Sequence, residues 1–187
     1  SRAEVGPLSK ILLTYFSVYG QTRKICETLQ GELARQGVTA ELRPLDEAQA
    51  GLDAYDAIVI GASIRHGKHN PAVFEFIARH RALLEAKPSG FFSVNLVARK
   101  PEKNTPATNP YVKAFVARSP WKPKLLGVFG GNLDYQRYKP FDRAAIRFIM
   151  FLTRGPTDPQ TNTEFTDWNE VRRFAGQIAA LTTSSAG

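Results

Sequence analysis

Residues 10–22, KILLTYFSVYGQT, decide the fold of this chain. The apolar run that opens this stretch predicts a buried strand, and the hydroxyl-rich run 17–22 breaks it. Apolar residues then return at the helical spacing of Ile25, Leu29 and Leu33. A turn between a strand and a helix start points backbone N–H groups, hydroxyls and the positive end of a helix dipole at one spot. The stretch therefore predicts a site that a phosphate group fits.

Two common phosphate-binding motifs are excluded by the spacing in this turn. It has no Gly-Lys-Ser/Thr, so it is not a P-loop, and it has no GxGxxG, so it is not a dinucleotide fingerprint. The turn resembles the phosphate loop of flavodoxin-like proteins, which binds the monophosphate of FMN. Residues 19–22, YGQT, stand where flavodoxins place Thr-Gly-Asn-Thr. The alternative is an ordinary helix start, with Ser17 or Thr22 serving only as a cap.

The composition predicts one globular domain without a membrane span. The chain has 187 residues, 43% of them hydrophobic, which suits a single domain over residues 8–182 with flexible ends at 1–7 and 183–187. No apolar run approaches the roughly 20 residues of a spanning helix, and residues 1–7 lack the apolar core of a signal peptide. The single cysteine, Cys26, cannot form an internal disulfide. These features predict a cytoplasmic protein.

The positive charge is concentrated in one part of the chain. The net charge is +8. Residues 99–154 hold twelve Lys/Arg against three Asp/Glu, an excess of nine, so the remainder carries a net charge of −1. Such a patch attracts a nucleic acid, an acidic lipid surface or a substrate with several carboxylates.

Apolar runs alternate with helical patterns along the chain. The predicted strands lie in residues 10–16, 38–43, 56–61, 90–97 and 124–130, and the predicted helices run from the turn to about residue 37 and over 71–84, 110–118, 140–153 and 167–181. Continuously apolar strands between helices favour an α/β fold with a five-stranded parallel sheet in the doubly wound order 2-1-3-4-5. Its ligand lies beyond the carboxyl ends of strands one, three and four, where the loops 17–22, 63–67 and 95–99 fall.

Residues 131–165 do not fit a minimal five-stranded unit, because they are too long for a plain connection. Long-chain flavodoxins carry an insertion that interrupts the fifth strand, and this segment resembles one. We therefore expect residues 163–165 to complete the fifth strand after the insertion.

A more distinctive resemblance covers most of the chain. Residues 61–67 (GASIRHG), 93–103 (SVNLVARKPEK) and 166–168 (TDW), with Thr105-Pro106 and Tyr111, resemble the bacterial menaquinone-dependent protoporphyrinogen oxidases. The resemblance implies a flavodoxin-like enzyme of heme biosynthesis that binds FMN and oxidises protoporphyrinogen IX to protoporphyrin IX. Six electrons leave in three hydride steps, each from a meso carbon to flavin N5 with a proton lost from a pyrrole nitrogen. The implied acceptor is a quinone, with menaquinone expected.

The resemblance also implies a cofactor site and a substrate site. The implied FMN ligands are Ser17, Val18, Tyr19, Gly20, Gln21, Thr22, Ser63, Ile64, Arg65, Ser93, Asn95, Leu96 and Val97. The implied substrate contacts are Arg99, Lys100, Lys103, Arg137, Lys139 and Arg143 for the two propionates, with Tyr135 or Tyr138 as a lid. Neither of the two loops expected beside the flavin ring, 63–67 and 93–98, contains a ring-stacking aromatic. One face of the flavin is therefore expected to stay open for a flat substrate. His66 could relay protons, and no cluster has metal-ligand spacing.

The insertion helix is strongly apolar and carries Arg143, Arg147 and Arg154 at spacings of four and seven. That pattern suits an interfacial helix near anionic lipid, which would place the protein peripherally on the inner face of the membrane. Packing on the sheet edge, or a contact in a homo-oligomer, is the alternative.

Other functions fit the sequence less well. One-electron flavodoxin carriers are generally acidic, which a charge of +8 opposes. A nucleic-acid partner is not expected, because no aromatic-plus-basic RNA motif is present. An NAD(P)H:quinone reductase stays open, because the fold alone does not define the reaction.

Overall fold

The computed structural model describes residues 9–184. Residues 1–8 and 185–187, which contain most of the predicted flexible ends, lie outside the described residues. The strands are β1 (Lys10–Phe16), β2 (Thr39–Pro44), β3 (Ala57–Arg65), β4 (Lys68–His69), β5 (Ser89–Asn95), β6 (Leu125–Gly130), β7 (Asn132–Asp134) and β8 (Asn162–Glu164). The α-helices are α1 (Gln21–Arg35), α2 (Pro71–Arg79), α3 (Arg81–Ala86), α4 (Pro110–Arg118), α5 (Pro140–Leu152) and α6 (Trp168–Ser184). Short 3-10 turns span Leu52–Ala54, Leu96–Arg99, Pro101–Lys103 and Tyr135–Arg137.

The main sheet has the order β2-β1-β3-β5-β6, and all four pairings along it are parallel. This confirms the predicted parallel order. A further strand of two residues, β4, folds back on the end of β3 as an antiparallel hairpin. The carboxyl ends of β1, β3 and β5 therefore lie side by side at one edge of the sheet.

The protein has two hydrophobic cores, one on each face of the sheet. Strand β1 contributes apolar side chains to both, because successive residues of a strand point to opposite faces. Ile11 and Leu13 join the core that also holds Phe174 of α6 and the predicted apolar face of α1. Leu12, between them, joins the opposite core with Phe115 of α4. The sheet is thus covered by helices on both faces, which explains why its strands are continuously apolar.

Two local predictions are wrong. The predicted helix 71–84 is two helices, α2 and α3, which meet at His80. Residues 163–165 do not complete the fifth strand, since β8 pairs antiparallel with β7 in a separate two-stranded sheet. Phe165 instead crosses the end of β6 so closely that a Cβ atom on Gly130 would lie 2.5 Å from its carbonyl oxygen.

The two ends of the 131–165 segment meet at the end of β6. The Phe165 N–H donates to the Gly131 carbonyl over 2.9 Å. The Thr166 hydroxyl donates to the Gly130 carbonyl over 2.6 Å. The segment therefore leaves the sheet and returns to it at almost the same point.

The centre of the sheet depends on a close approach between β3 and β5. A Cβ atom on Gly61 would lie 2.7 Å from both Cε1 and Cε2 of the fully buried Phe92 ring. That ring also packs edgewise on Phe129 and Phe174, with centroids 5.5 and 5.8 Å apart, so it has no free direction in which to move.

We expect Gly61→Ala to lower the free energy of unfolding by about 2–3 kcal/mol, because the added methyl group overpacks the core. Urea denaturation of the two proteins measures the difference. The matched control is Gly31→Ala, at an exposed position of α1 where an added Cβ atom would meet no atom within 4 Å. It should raise stability by about 0.5–1 kcal/mol. Equal effects at the two positions would contradict the packing argument.

Candidate active site

A cleft lies at the carboxyl ends of β1, β3 and β5 and has about 980 Å³ of empty space, part of it open to solvent. Its walls are the loop 17–22, the loop 63–67, the end of β5 with the following turn, and the inner face of α5. Of the thirteen predicted cofactor residues, eleven line this cleft, and Gly20 and Ser93 do not. The sheet thus brings the three predicted loops together at one site.

The loop 17–22 leaves hydrogen-bond donors available at the start of α1. Gly20 precedes the helix with φ 93°, and no side chain caps the helix. The Ser17 hydroxyl accepts from the Gly20 N–H over 3.0 Å, so it does not cap the first turn of the helix. Among the described residues, the buried Thr22 hydroxyl has no partner. These groups fit a bound phosphate, since a helix N-terminus and a hydroxyl are anion ligands.

Three tyrosines line the cleft, and two of them, Tyr19 and Tyr138, were predicted as an FMN ligand and a lid. They are Tyr19, Tyr111 and Tyr138, from the first loop, α4 and the 131–165 segment. Tyr19 and Tyr138 pack with ring centroids 4.9 Å apart, and burial raises the pKa of Tyr138 to about 12. Tyr135, the other predicted lid, is fully buried and donates to the Pro156 carbonyl over 2.5 Å, away from the cleft lining.

Helix α5 forms an apolar wall of the cleft. Ala145, Ile146, Ile149 and Met150 face inward from it. Arg99 anchors the end of this helix, because its guanidinium donates both to the Leu96 carbonyl and to the Thr153 carbonyl, over 2.9 and 3.2 Å. An apolar wall beside a few polar groups is the usual composition of a small-molecule site.

None of the predicted propionate ligands lines the cleft, and their contact with substrate stays a prediction. The six residues are Arg99, Lys100, Lys103, Arg137, Lys139 and Arg143. Arg143 donates to the carbonyls of Tyr135 and Tyr138, which holds the turn before α5. The Arg137 guanidinium lies beside the first loop, 3.8 Å from the position that a Cβ atom would take on Gly20.

A buried carboxylate, Asp142, joins three segments at the rim of the cleft. It is 2% exposed and accepts hydrogen bonds from the Tyr19 hydroxyl and from His66 Nε2, the latter over 2.8 Å. Arg65 Nη2 lies 3.1 Å from its other oxygen. Burial opposes ionisation of Asp142, but the bonds from Tyr19 and His66 and the charge of Arg65 outweigh it, so its pKa is lowered. From the sequence alone, Asp142 can be recognised only as an acidic residue in the first turn of a predicted helix, where such residues are common.

A buried polar network supports the cleft from behind. The side-chain amides of Asn95 and Asn109 bond each other twice, over 3.2 and 3.0 Å. Asn95 also donates to the Ser93 hydroxyl over 3.0 Å, and that hydroxyl lies 2.8 Å from His69 Nε2. Since Ser93 accepts from Asn95, its own proton is free to bond an unprotonated His69 nitrogen. Burial lowers the pKa of His69 to about 4, in agreement with a neutral ring.

Comparison with known proteins agrees with this geometry. A sequence model of the flavodoxin domain matches residues 12–160. Oxidised flavodoxin 1 from Bacillus cereus superposes with a TM-score of 0.54 at 15% identity, over 92% of this chain and 98% of that one. A cysteine-to-serine mutant of flavodoxin from Pseudomonas aeruginosa gives a TM-score of 0.53 at 14% identity, over 93% and 99% of the two chains. The fold and the cleft therefore define a flavodoxin-like α/β protein.

Two curated relatives place the chain more narrowly. An Escherichia coli K12 protein named protoporphyrinogen IX dehydrogenase (quinone) is 43% identical over an alignment of 176 positions that covers 92% of this chain and 96% of that protein. A Leishmania major protein of the same name is 42% identical over an alignment of 174 positions that covers 92% of this chain and 75% of that protein. The chain belongs to the flavodoxin-domain family and, within it, to the family of these dehydrogenases. This confirms the resemblance read from residues 61–67 and 93–103.

We expect His69 to make the protein less stable in mild acid. Its pKa of about 4 lies below the ordinary value of 6.5, so the unfolded chain binds a proton that the folded protein excludes between these pH values. The neutral His69 ring therefore costs no stability above pH 6.5. As the pH falls, the free energy of unfolding decreases, by about 2–3 kcal/mol between pH 7.5 and 4.5. Urea unfolding of wild type and His69→Gln at both pH values tests this. An equal loss in the two proteins would rule out His69 as the cause.

Proposed function

We propose that this chain is an FMN-dependent protoporphyrinogen IX dehydrogenase that passes electrons to a quinone, with menaquinone as the natural acceptor, in heme biosynthesis. The observation that carries this proposal is the 43% identity to a curated dehydrogenase over nearly the full length of both chains. The overall reaction balances when protoporphyrinogen IX loses six hydrogens and three quinones become three quinols.

The cleft suits FMN on chemical grounds. The uncapped start of α1 and the unpartnered Thr22 hydroxyl are donors for the phosphate. The turn after β5, with Leu96 and Val97, and the loop that includes Ile64 give less polar walls for a ring. When bound, FMN would supply the acceptor for the hydride that leaves a porphyrinogen carbon.

The remaining surfaces of the cleft suit a flexible, apolar macrocycle with two carboxylates. The inner face of α5 and the ring of Tyr138 exclude water from one side. Arg137 and Lys139 flank Tyr138 in the chain and are exposed, which makes them the propionate ligands that we favour among the predicted cations. Arg99 and Arg143 contribute indirectly, because their guanidiniums hold the backbone of the 131–165 segment.

The outer face of α5 is the proposed contact with an anionic membrane surface. All exposed large hydrophobic side chains of the described chain lie on this helix, namely Phe141, Phe148, Ile149, Phe151 and Leu152. Phe148 and Phe151 are 61% and 71% exposed. Residues 137–154 carry five Lys/Arg, and their one acid, Asp142, is buried. Aromatic side chains ringed by cations favour anionic lipid headgroups.

This arrangement would let one helix face both lipid and cofactor cleft. Ile149 is 40% exposed and also lines the cleft, so the two faces of α5 adjoin there. A lipid-soluble quinone would then have a short path to the site. Within residues 9–184, no helix is both long and apolar enough to cross a bilayer. The exposed aromatic and basic side chains of α5 support our proposal that the protein lies peripherally on the inner face of the membrane.

The activity is tested by mixing the FMN-loaded protein anaerobically with protoporphyrinogen IX and a soluble menaquinone analogue. We expect porphyrin fluorescence to rise only when quinone is present, with three quinones consumed for each porphyrin. NADPH in place of porphyrinogen is the control, and it should leave the flavin oxidised. A flavin that stays oxidised with porphyrinogen, or that NADPH reduces, would overturn the proposal and favour a carrier or an NAD(P)H:quinone reductase.

Membrane docking is tested with the double variant Phe148→Ser, Phe151→Ser. We expect its partition into vesicles of phosphatidylcholine with 30% phosphatidylglycerol to fall at least tenfold, because two exposed rings no longer insert. Activity with the soluble quinone should not change, since neither ring lines the cleft. Two single variants form a matched pair. Arg154→Gln, just beyond the exposed face of α5, should weaken binding to these vesicles, and Arg172→Gln on α6 should not. Equal partition of wild type and the double variant would exclude this surface.

A further inference from the structure

His66 is held in an unusual position at the rim of the cleft. It opens the two-residue turn between β3 and β4, with φ 54° at His66 and 74° at Gly67. Such turns favour Asn or Gly at the first position, and positive φ is uncommon for residues with a Cβ atom, although His adopts it more often than most. A histidine kept in this conformation suggests a use for its side chain.

The imidazole of His66 is oriented by its neighbours from α5. Nε2 lies 2.8 Å from Asp142 Oδ1, and the ring meets Phe141 edge-on with centroids 5.6 Å apart. Asp142 is kept ionised by Tyr19 and Arg65, so it acts as the acceptor and Nε2 carries a proton. That tautomer leaves a lone pair on Nδ1, and none of residues 9–184 is hydrogen-bonded to this atom.

The ring is accessible to a substrate as well as to water. His66 lines the cleft, and its side chain is 46% exposed, whereas that of Asp142 is 3% exposed. An accessible basic nitrogen whose other ring nitrogen is bonded to a buried carboxylate is the arrangement of a general base.

We propose that His66, oriented by Asp142, accepts a pyrrole proton that protoporphyrinogen releases as it is oxidised. The inference rests on the proposed function. The N–H bond breaks and leaves its electron pair on the nitrogen, and the pyrrole π electrons shift to give a C=N bond and a C=C bond to the adjoining meso carbon. That meso carbon loses a hydride, for which FMN held in the cleft would be the acceptor. The proton forms a new bond to Nδ1, the Asp142 carboxylate compensates the imidazolium charge, and water at the exposed ring takes the proton away. His66 is the catalytic residue and Asp142 is a positioning residue.

The charged groups around His66 determine its response to pH. Asp142 from α5 bonds the ring, and Arg65 from β3 pairs with that carboxylate. Tyr19, from the loop after β1, acts through Asp142. Because a base accepts a proton only when it is unprotonated, the rate of flavin reduction should rise with pH. The rise, which is the acidic limb of the pH profile, should follow the titration of a single group. A histidine that only held α5 in place would produce no such limb in the chemical step.

The test uses His66→Gly, because glycine adopts the positive φ without strain and leaves space for a small base. In anaerobic stopped-flow experiments with the FMN-loaded enzyme and protoporphyrinogen, we expect flavin reduction to slow by roughly 10²–10³-fold and to lose the acidic limb. Added imidazole should restore the rate, and the pH dependence of the rescued reaction should follow the pKa of the added base. His80→Gln, which lies away from the cleft lining, should keep the wild-type rate.

A second readout needs no turnover. In the FMN-loaded protein without substrate, NMR of the His66 ring at one pH should detect the proton on Nε2 in wild type and a mixture of the two tautomers in Asp142→Asn, because the carboxylate acceptor is gone. The dissociation constant of FMN should change less than threefold in His66→Gly.

The possible outcomes separate this inference from the proposed function. If wild type does not reduce its flavin with porphyrinogen, the function itself fails. If wild type reacts but His66→Gly keeps its rate and pH profile, only the role of His66 fails. Loss of FMN binding in His66→Gly, or an unchanged His66 tautomer in Asp142→Asn, would likewise overturn the pairing of His66 with Asp142 as catalytic machinery and leave a purely structural contact.

Discussion

Parallel pairing of the five main strands is the constraint on which the rest of this structure depends. Because every strand in the order β2-β1-β3-β5-β6 runs the same way, the loops after β1, β3 and β5 must meet at one edge. The connections from β1 to β2, β3 to β5 and β5 to β6 cross the sheet as helices, whereas that from β2 to β3 has only a short 3-10 turn, and together they bury both faces. The same geometry that makes the core continuous therefore assembles the cleft from segments that lie far apart in the chain.

The sequence predicted the features that follow from local patterns. The spacing of Ile25, Leu29 and Leu33 indicated α1, and all three side chains are fully buried in one core. The loops 17–22 and 63–67 were placed correctly at the sheet edge, because strand order and loop position follow from the alternation of elements. The position of the 131–165 segment also followed from its length.

What the sequence could not predict depends on contacts between distant segments. Asp142 accepts from Tyr19, 123 residues away, and no local pattern indicates that pairing. The polar β8 was wrongly assigned to the main sheet because residues 163–165 read as a short strand, and the pattern does not say which strand it pairs with. The break at His80 was missed since Leu84 continues the apolar spacing of α2 and is buried in α3.

The closeness of the two ends of the 131–165 segment has a consequence for how such proteins diversify. Gly130 and Thr166 are joined by a 2.6 Å hydrogen bond, so the segment could be exchanged or deleted without stretching the sheet. The side chains of the segment, however, make contacts with the rest of the protein that an exchange would disrupt. Removal would strip Tyr19 and Arg65 of the Asp142 carboxylate, and the remaining loops would need compensating substitutions. Ancestry in this family should therefore be recorded in the paired changes between the segment and the first loop, rather than in the segment alone.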